Sequence, residues 1–320
     1  MGYFARRTPL VLFLALFGCG SDGERSYEAT IVRTEFGIPH ISADNWGDLG
    51  FGAGYAYAED NFCVLMREVI RANGTSARWF GEAEGNLAED FVYTFINTDE
   101  YIQTEFIDTS PEELQELLDG YAAGLSKYLE DTGAANLPEG DEGCRGEAWV
   151  RPITALDLGK VYRKLIVRAS TGPLVPLITA ADPPRMASLA PTPRTESVLY
   201  DMHEALGMPE AEAMGSNAYG IGADASQTDF GILLGNPHFP WRGPLRWYIQ
   251  HLTVEGEYDV MGASLQGVPL VNIGFNQDFA WSHTVSTGQR FTFYSLDLVD
   301  GDPFSYRYGD EVRSITPNPV

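Results

Sequence analysis

The residues with the clearest capacity for chemistry are Gly215-Ser216-Asn217-Ala218. A hydroxyl directly follows a residue that lacks a Cβ, so the Ser216 hydroxyl could attack the carbonyl of Gly215. Glycine tolerates the dihedrals and the close approach that such an attack needs. If that peptide bond breaks, Ser216 becomes a chain terminus carrying a nucleophilic Oγ and a free α-amine on one residue. An α-amine titrates near pH ~8, so it can act as a base where an amide nitrogen cannot. Amine activation is one of the ways a weakly nucleophilic serine is made reactive. Gly-Ser-Asn is also ordinary loop composition, so the surroundings must decide.

Upstream of this tetrapeptide, Pro173, Pro176, Pro183, Pro184, Pro191 and Pro193 crowd a segment that ends at Gly215. Proline at that density resists regular structure, and exposed segments of this kind tolerate excision. It reads as a connecting peptide. Before it the chain is mainly helical. Ser110-Pro111-Glu112-Glu113 is a helix start with Ser110 as cap. Leu114, Leu117, Leu118, Tyr121, Leu125, Tyr128 and Leu129 then form one apolar stripe that stops at Gly133. A second helix is predicted from about Thr154 to Ala169. The small residues from Gly50 to Ala58 lack the preceding strand and the third glycine of a dinucleotide loop, and instead suit close helix packing. Their continuation, Phe62 to Ala72, has helical spacing, with Gly74 as terminator.

Two short β-rich runs between Tyr27 and Ser42 flank a turn containing Gly37 and Pro39, with His40 placed between two isoleucines as a structural residue. After Ser216 the pattern turns to strands. Ile232–Leu234, Trp247–Val254, Tyr258–Met261, Leu270–Phe275 and Phe291–Leu298 are β-rich and closely spaced, which predicts antiparallel pairing. The fold class is α+β. No closing element precedes Val320, so the chain is expected to be a piece of something longer.

Length and composition bound the function. The 320 residues include 44% hydrophobic ones, enough for a substantial core. The net charge of -24 repels phosphate backbones and anionic bilayers, which excludes nucleic acid as a partner. Residues 1–18 have a basic start (Arg6, Arg7) and an apolar run, Leu10–Phe17, too short to span a bilayer. They read as an export signal. The run ends at Leu16-Phe17-Gly18-Cys19, similar to a lipoprotein signal in which Cys19 is lipidated; the alternative is an ordinary secretory signal with a chance cysteine. That leaves Cys63 and Cys144 in an oxidising compartment, where a disulfide is expected and zinc is not.

Five segments together carry a family likeness. They are Phe36-Gly37-Ile38-Pro39-His40-Ile41, Gly54-Tyr55-Ala56-Tyr57-Ala58-Glu59-Asp60-Asn61, Gly215-Ser216-Asn217-Ala218, Gly235-Asn236-Pro237-His238-Phe239 and Ala280-Trp281-Ser282-His283-Thr284-Val285. In this order they resemble the penicillin acylase family of N-terminal nucleophile hydrolases, in its acyl-homoserine lactone and aculeacin acylase branch. The resemblance implies a precursor that cuts itself before the nucleophile and a four-layer αββα core. Beyond the signal peptide read over 1–18, it implies an α-subunit region over 26–190, a spacer over 191–215 and the N-terminal part of a β-subunit over 216–320. The two subunits would form a heterodimer, with the membrane reached only through Cys19.

Carried over by residue, the resemblance makes Ser216 the nucleophile and its α-amine the base. His238, 22 positions later (238 − 216), would help orient them. The backbone N–H of Val285 would supply half of the oxyanion hole, and His283 would pack or orient that loop. The second donor, an Asn side chain, is expected beyond Val320; Asn272 and Asn276 come too early. The penicillin G branch has calcium-binding acids after the Val285 position. Residues 286–291 here have none, so neither metal nor cofactor is expected. Phe239, Trp241, Leu265 and Val268 are candidate substrate-binding residues, because apolar side chains near the nucleophile suit an acyl chain. The predicted activity is cleavage of an acylated small-molecule amide, such as an acyl-homoserine lactone or an acylated lipopeptide. A β-lactam acylase and a non-catalytic surface lipoprotein are the alternatives. A Ser-His-Asp esterase would need a Gly-x-Ser-x-Gly elbow, which is absent.

Overall fold

The computed structural model describes residues 14–17 (backbone), 25–83, 85–138, 143–168, 170–180, 215–227, 229–284 and 294–317. Its first strands are β1 (Leu14–Phe17), β2 (Glu28–Arg33) and β3 (Pro39–Ala43). The helices are α1 (Trp46–Ala72), α2 (Ser76–Phe80), α3 (Asn86–Ile96), α4 (Asp99–Tyr101), α5 (Glu112–Thr132), α6 (Ala155–Arg168) and α7 (Val175–Ala180). A π-helical segment, Ile102–Ile107, follows α4. Then come β4 (Gly215–Ile221), β5 (Ile232–His238), β6 (Trp247–Val254), β7 (Tyr258–Leu265), β8 (Ile273–Phe275) and β9 (Ala280–Trp281). Strands β10 (Asp297–Val299), β11 (Asp302–Tyr308) and β12 (Glu311–Ser314) make a separate antiparallel sheet.

The main sheet has seven strands in the order β1-β2-β3-β6-β7-β8-β9. Every neighbouring pair is antiparallel except β3–β6, where His40 lies opposite His251 and Ile41 opposite Leu252. A parallel pair needs a long crossover, and the whole helical half of the chain provides it.

Helix α1 is central, which explains its small residues. Gly52 faces the sheet; a Cβ there would lie 2.7 Å from both Ala29 Cβ and Ile41 Cγ2. Gly50 and Gly54 face α5, where a Cβ would meet the carbonyl oxygens of Leu117 and Tyr121 at 2.1 and 2.2 Å. Gly120 and Gly124 on α5 answer with equally close approaches to the carbonyls of Gly47 and Phe51. The two helix backbones therefore touch. Around that crossing, Leu49, Leu65, Met66, Leu117, Tyr121 and Leu125 are fully buried.

The expected apolar stripe of α5 is buried from Leu117 to Leu129, with Leu114 at its half-buried edge. The cap differs from expectation. Pro111 occupies the cap position, and the Ser110 hydroxyl instead donates to the carbonyl of Phe106, at the end of the π-helical segment. The start of α6 is anchored by Asp157. It accepts from Thr154 N–H, receives both Arg151 guanidinium nitrogens at 2.6 and 2.7 Å, and accepts from Asn73, the residue that caps the C-terminus of α1. A Cys63–Cys144 disulfide, Cα–Cα 5.3 Å, ties α1 to the loop after α5 across a separation of 81 residues. Closing a loop of that length removes denatured-state entropy worth on the order of 4 kcal/mol.

Candidate active site

Strands β4 and β5 form an antiparallel pair in which Gly215 lies opposite His238, Ser216 opposite Pro237 and Asn217 opposite Asn236. Gly215 thus opens a strand with Ser216 as its second residue, and it faces His238, the last residue of the Gly-Asn-Pro-His segment. The Ser216 hydroxyl donates to the carbonyl oxygen of Gly215 at 2.5 Å. It therefore rests beside the carbonyl carbon of the bond that self-cleavage would break.

Side chains alternate along a strand, so Gly215 and Asn217 share one face with His238, and Ser216 points to the other. The imidazole of His238 fills the space a side chain at 215 would need: a Cβ on Gly215 would sit 3.3 Å from His238 Nδ1. On the opposite ring edge, Asn217 Nδ2 lies 3.3 Å from His238 Nε2. Sequence reasoning missed Asn217 as a contact of His238. Its signal was the period-two spacing from Gly215, which needs the strand pairing to become visible.

A third segment joins this pair. A Cβ on Gly235 would lie 3.2 Å from Ser282 Oγ, so the absence of a side chain there lets the end of β9 close on β5. The Gly215, Gly235 and Ala280 segments, far apart in sequence, meet in space. His283 and Thr284 follow, exposed. Val285 and residues 286–291 lie outside the described residues, as do Cys19 and residues 191–214 of the expected spacer.

The four candidate substrate-binding residues are dispersed. Phe239 packs on Trp247 with ring centroids 5.2 Å apart. Leu265 is paired with Trp247 across β6–β7, and Val268 is half-buried in the turn beyond. Trp241 is 94% exposed. Asn272 is engaged structurally, its Oδ1 accepting from Leu265 N–H.

Trp247 connects this region to a second cluster, built from the other two segments. An open cleft of about 650 Å³ is lined by Phe36, Ile38, Pro39, Trp247 and Ile249 around a polar floor of Arg33, Glu59, Asp60 and Tyr248. Arg33 bonds Glu59 at 2.8 Å, Asp60 at 2.9 Å and the carbonyl of Ala56. Tyr248 donates its hydroxyl to Asp60 at 2.9 Å. Burial, then the negative charge of Asp60, pushes the Tyr248 phenol well above its ordinary range, so it stays a donor. Helix α1 breaks at Asn61, whose φ of -144° is non-helical. Asn61 accepts from Arg246, just ahead of β6. Among the described residues no group of three or more His, Cys, Asp or Glu side chains is arranged to hold a metal ion.

Comparison with known proteins gives the context. The penicillin amidase family model matches residues 28–319. Aculeacin-A acylase of Actinoplanes utahensis is 42% identical over 297 residues, which is 90% of this chain and 37% of that protein. Acyl-homoserine lactone acylase PvdQ of Pseudomonas fluorescens (strain Pf0-1) is 42% identical over 285 residues, 87% of this chain and 36% of that protein. Acyl-homoserine lactone acylase QuiP of Pseudomonas aeruginosa is 25% identical over 297 residues, 84% of this chain and 34% of that protein. The chain thus spans just over a third of the length of the curated relatives it matches.

Proposed function

The chain belongs to the penicillin amidase family, and on that premise we propose that it is an exported, self-processing amidohydrolase with Ser216 as its nucleophile. The single observation that carries this reading is the Ser216 hydroxyl resting 2.5 Å from the Gly215 carbonyl oxygen at the head of β4. Attack from there forms an Oγ–C bond and breaks the C–N bond, with the hydroxyl proton passing to the Ser216 nitrogen. Water then hydrolyses the ester, leaving a Gly215 carboxylate and a free Ser216 amine. The spacer over 191–215 is removed, the 26–190 and 216–320 regions remain as the two subunits, and together they adopt the four-layer αββα arrangement.

In the mature form the α-amine takes the Oγ proton as Oγ attacks an amide carbonyl. The proton then goes to the leaving amine, and water releases the acyl group. His238, which lies across from Gly215 on the face opposite the Ser216 side chain in the uncut strand pair, orients the amine and hydroxyl once the chain is cut. The Val285 N–H donates to the oxyanion, a contact of a type worth about 3 kcal/mol of barrier.

The substrate is an acyl amide, such as an acyl-homoserine lactone or an acylated lipopeptide. The names of aculeacin-A acylase and acyl-homoserine lactone acylase PvdQ, two relatives at 42% identity, support this, as does the Phe239–Trp247 ring pair next to His238. Each buried methylene of an acyl chain contributes about 0.8 kcal/mol. Residues 1–18 direct export, and Cys19 carries a lipid anchor to the periplasmic side of a membrane.

Intact-mass measurement and N-terminal sequencing of the full-length gene product, beside its Ser216→Ala variant, test the reading. The unmodified protein should yield a fragment that begins at Ser216, and the variant a single uncut chain. One uncut species in both would favour a binding lipoprotein instead. A panel of amides with graded acyl length, including β-lactam side-chain amides, then ranks the substrates.

A further inference from the structure

We propose that Asn217 is a positioning residue: its side-chain amide sets the tautomer and orientation of His238 over the bond that is cut. This rests on the self-processing reading above. Asn217 Nδ2 is a donor only, and it faces His238 Nε2 at 3.3 Å. A neutral imidazole that accepts at Nε2 carries its hydrogen on Nδ1. Nδ1 is the atom turned toward Gly215, 3.3 Å from where that residue's Cβ would lie. The ring therefore presents an N–H, not a lone pair, to the acyl side of the Gly215–Ser216 bond.

The strand geometry makes Asn217 the natural residue for this task. His238 ends β5 directly opposite Gly215, so the diagonal neighbour on its own face is Asn217. Gly215 offers no side chain to pack against the ring. His238 is exposed, so no wall of core residues holds it. A ring in that setting rotates freely unless a hydrogen bond fixes it, and among the described residues the Asn217 amide supplies one. Groups that orient a metal-bound histidine through its far nitrogen typically govern 10- to 100-fold in affinity or activity, and an effect of that order is expected for His238.

Two measurements on the full-length protein test this. The first is the rate at which the Ser216 N-terminus appears in Asn217→Ala and Asn217→Asp variants. Both should mature about 10- to 100-fold more slowly than the unmodified chain. The Asp change is informative because a carboxylate only accepts, and so draws the hydrogen to Nε2. The second is the ¹⁵N imidazole spectrum of His238, recorded in the uncut Ser216→Ala background with and without Asn217→Asp. The hydrogen should reside on Nδ1 with Asn217 present and move to Nε2 with Asp. Maturation of both variants at the unmodified rate overturns the proposal. So does slow maturation with an unchanged tautomer, which would make Asn217 merely structural. If the unmodified chain is never cut, the self-processing reading fails instead, and the spectrum still decides whether Asn217 sets His238.

Discussion

His40 and His251 face each other Nδ1 to Nδ1 at 2.8 Å across the parallel β3–β6 pair. One nitrogen must donate and the other accept, and a third residue decides which. His251 Nε2 lies 2.7 Å from Asp259 Oδ1 on β7, so Nε2 carries the hydrogen and a neutral His251 has a bare Nδ1. His40 is then the donor. Thr253 joins through its bond to Asp259, while Val32 on β2 and Met261 on β7 flank the two rings in register. In a chain cut before Ser216, β3 and β6 would belong to different fragments, and this chain of hydrogen bonds would stitch them together.

Burial, and then the neighbouring His251, push the His40 pKa below the ordinary histidine value. An unfolded histidine takes up its proton first as pH falls, at about 6.5. The contribution to stability is therefore complete above that pH and declines below it, until the folded pKa is reached. The urea midpoint should fall between pH 7 and pH 5. His40→Gln keeps a donor to His251 and removes the titration, so its midpoint should change less over the same interval. An equal slope in both proteins would show that His40 is not the titrating group.

Glu68 is the opposite case. It is buried between Lys164 on α6 at 2.8 Å and Arg71 at 2.6 Å. Burial alone would raise its pKa, but Lys164 and Arg71 outweigh burial and hold it below the usual carboxylate value. The stability this gives is present above the unfolded pKa, about 4.3, and is lost as pH falls through the lower folded value. Glu68→Gln leaves two cations around a neutral amide and should cost about 3 kcal/mol near pH 7. It should also flatten the acid limb of a stability-against-pH curve.

Much of this architecture can be read from the chain, and the exceptions have physical causes. Helices α5 and α6 follow from apolar spacing and a terminal Gly133, signals that are local. The cap of α5 could not be read, because Ser110 is drawn to the Phe106 carbonyl by a π-helical segment that has no sequence signature. Trp247–Val254 is a strand as its β-rich run indicates, yet its parallel partner β3 lies some two hundred residues away and leaves no mark in the sequence around it. The resemblance assigned Ser216 and His238 to one site. It could not show that His238 sits opposite Gly215 rather than Ser216, because a one-residue change of register exchanges the faces of a strand. Asn217 became visible only with that register.

The α1–α5 crossing gives the sharpest stability test. A Cβ on Gly120 would lie 1.9 Å from the Gly47 carbonyl oxygen, and a backbone carbonyl cannot move aside as a side-chain tip can. Gly120→Ala should therefore cost about 3 kcal/mol or more, or abolish soluble expression. Gly220→Ala on β4 has open space around its Cβ and should change the urea midpoint little. Comparable stability in the two variants would mean that the helices can separate without penalty.

Gly215 makes the same kind of argument at the site itself, with a different readout. Its missing side chain leaves room for the His238 ring, and a Cβ there would approach Nδ1 to 3.3 Å. Because His238 is exposed, the ring can swing away at small energetic cost to the fold, but the swing breaks its contact with Asn217. Gly215 is half-buried but its one close neighbour is the exposed His238 ring, so Gly215→Ala should leave thermal stability within about 0.5 kcal/mol, as for substitutions outside the core. It should still slow the appearance of the Ser216 N-terminus by about tenfold. Gly215→Val adds two methyl groups on the same face and should slow it further. The measurement is a maturation time course by intact mass, paired with a melt of each Ser216→Ala double variant, so that folding and cleavage are read separately. Equal maturation rates for Gly, Ala and Val at this position would show that His238 has no part in breaking the bond beside it.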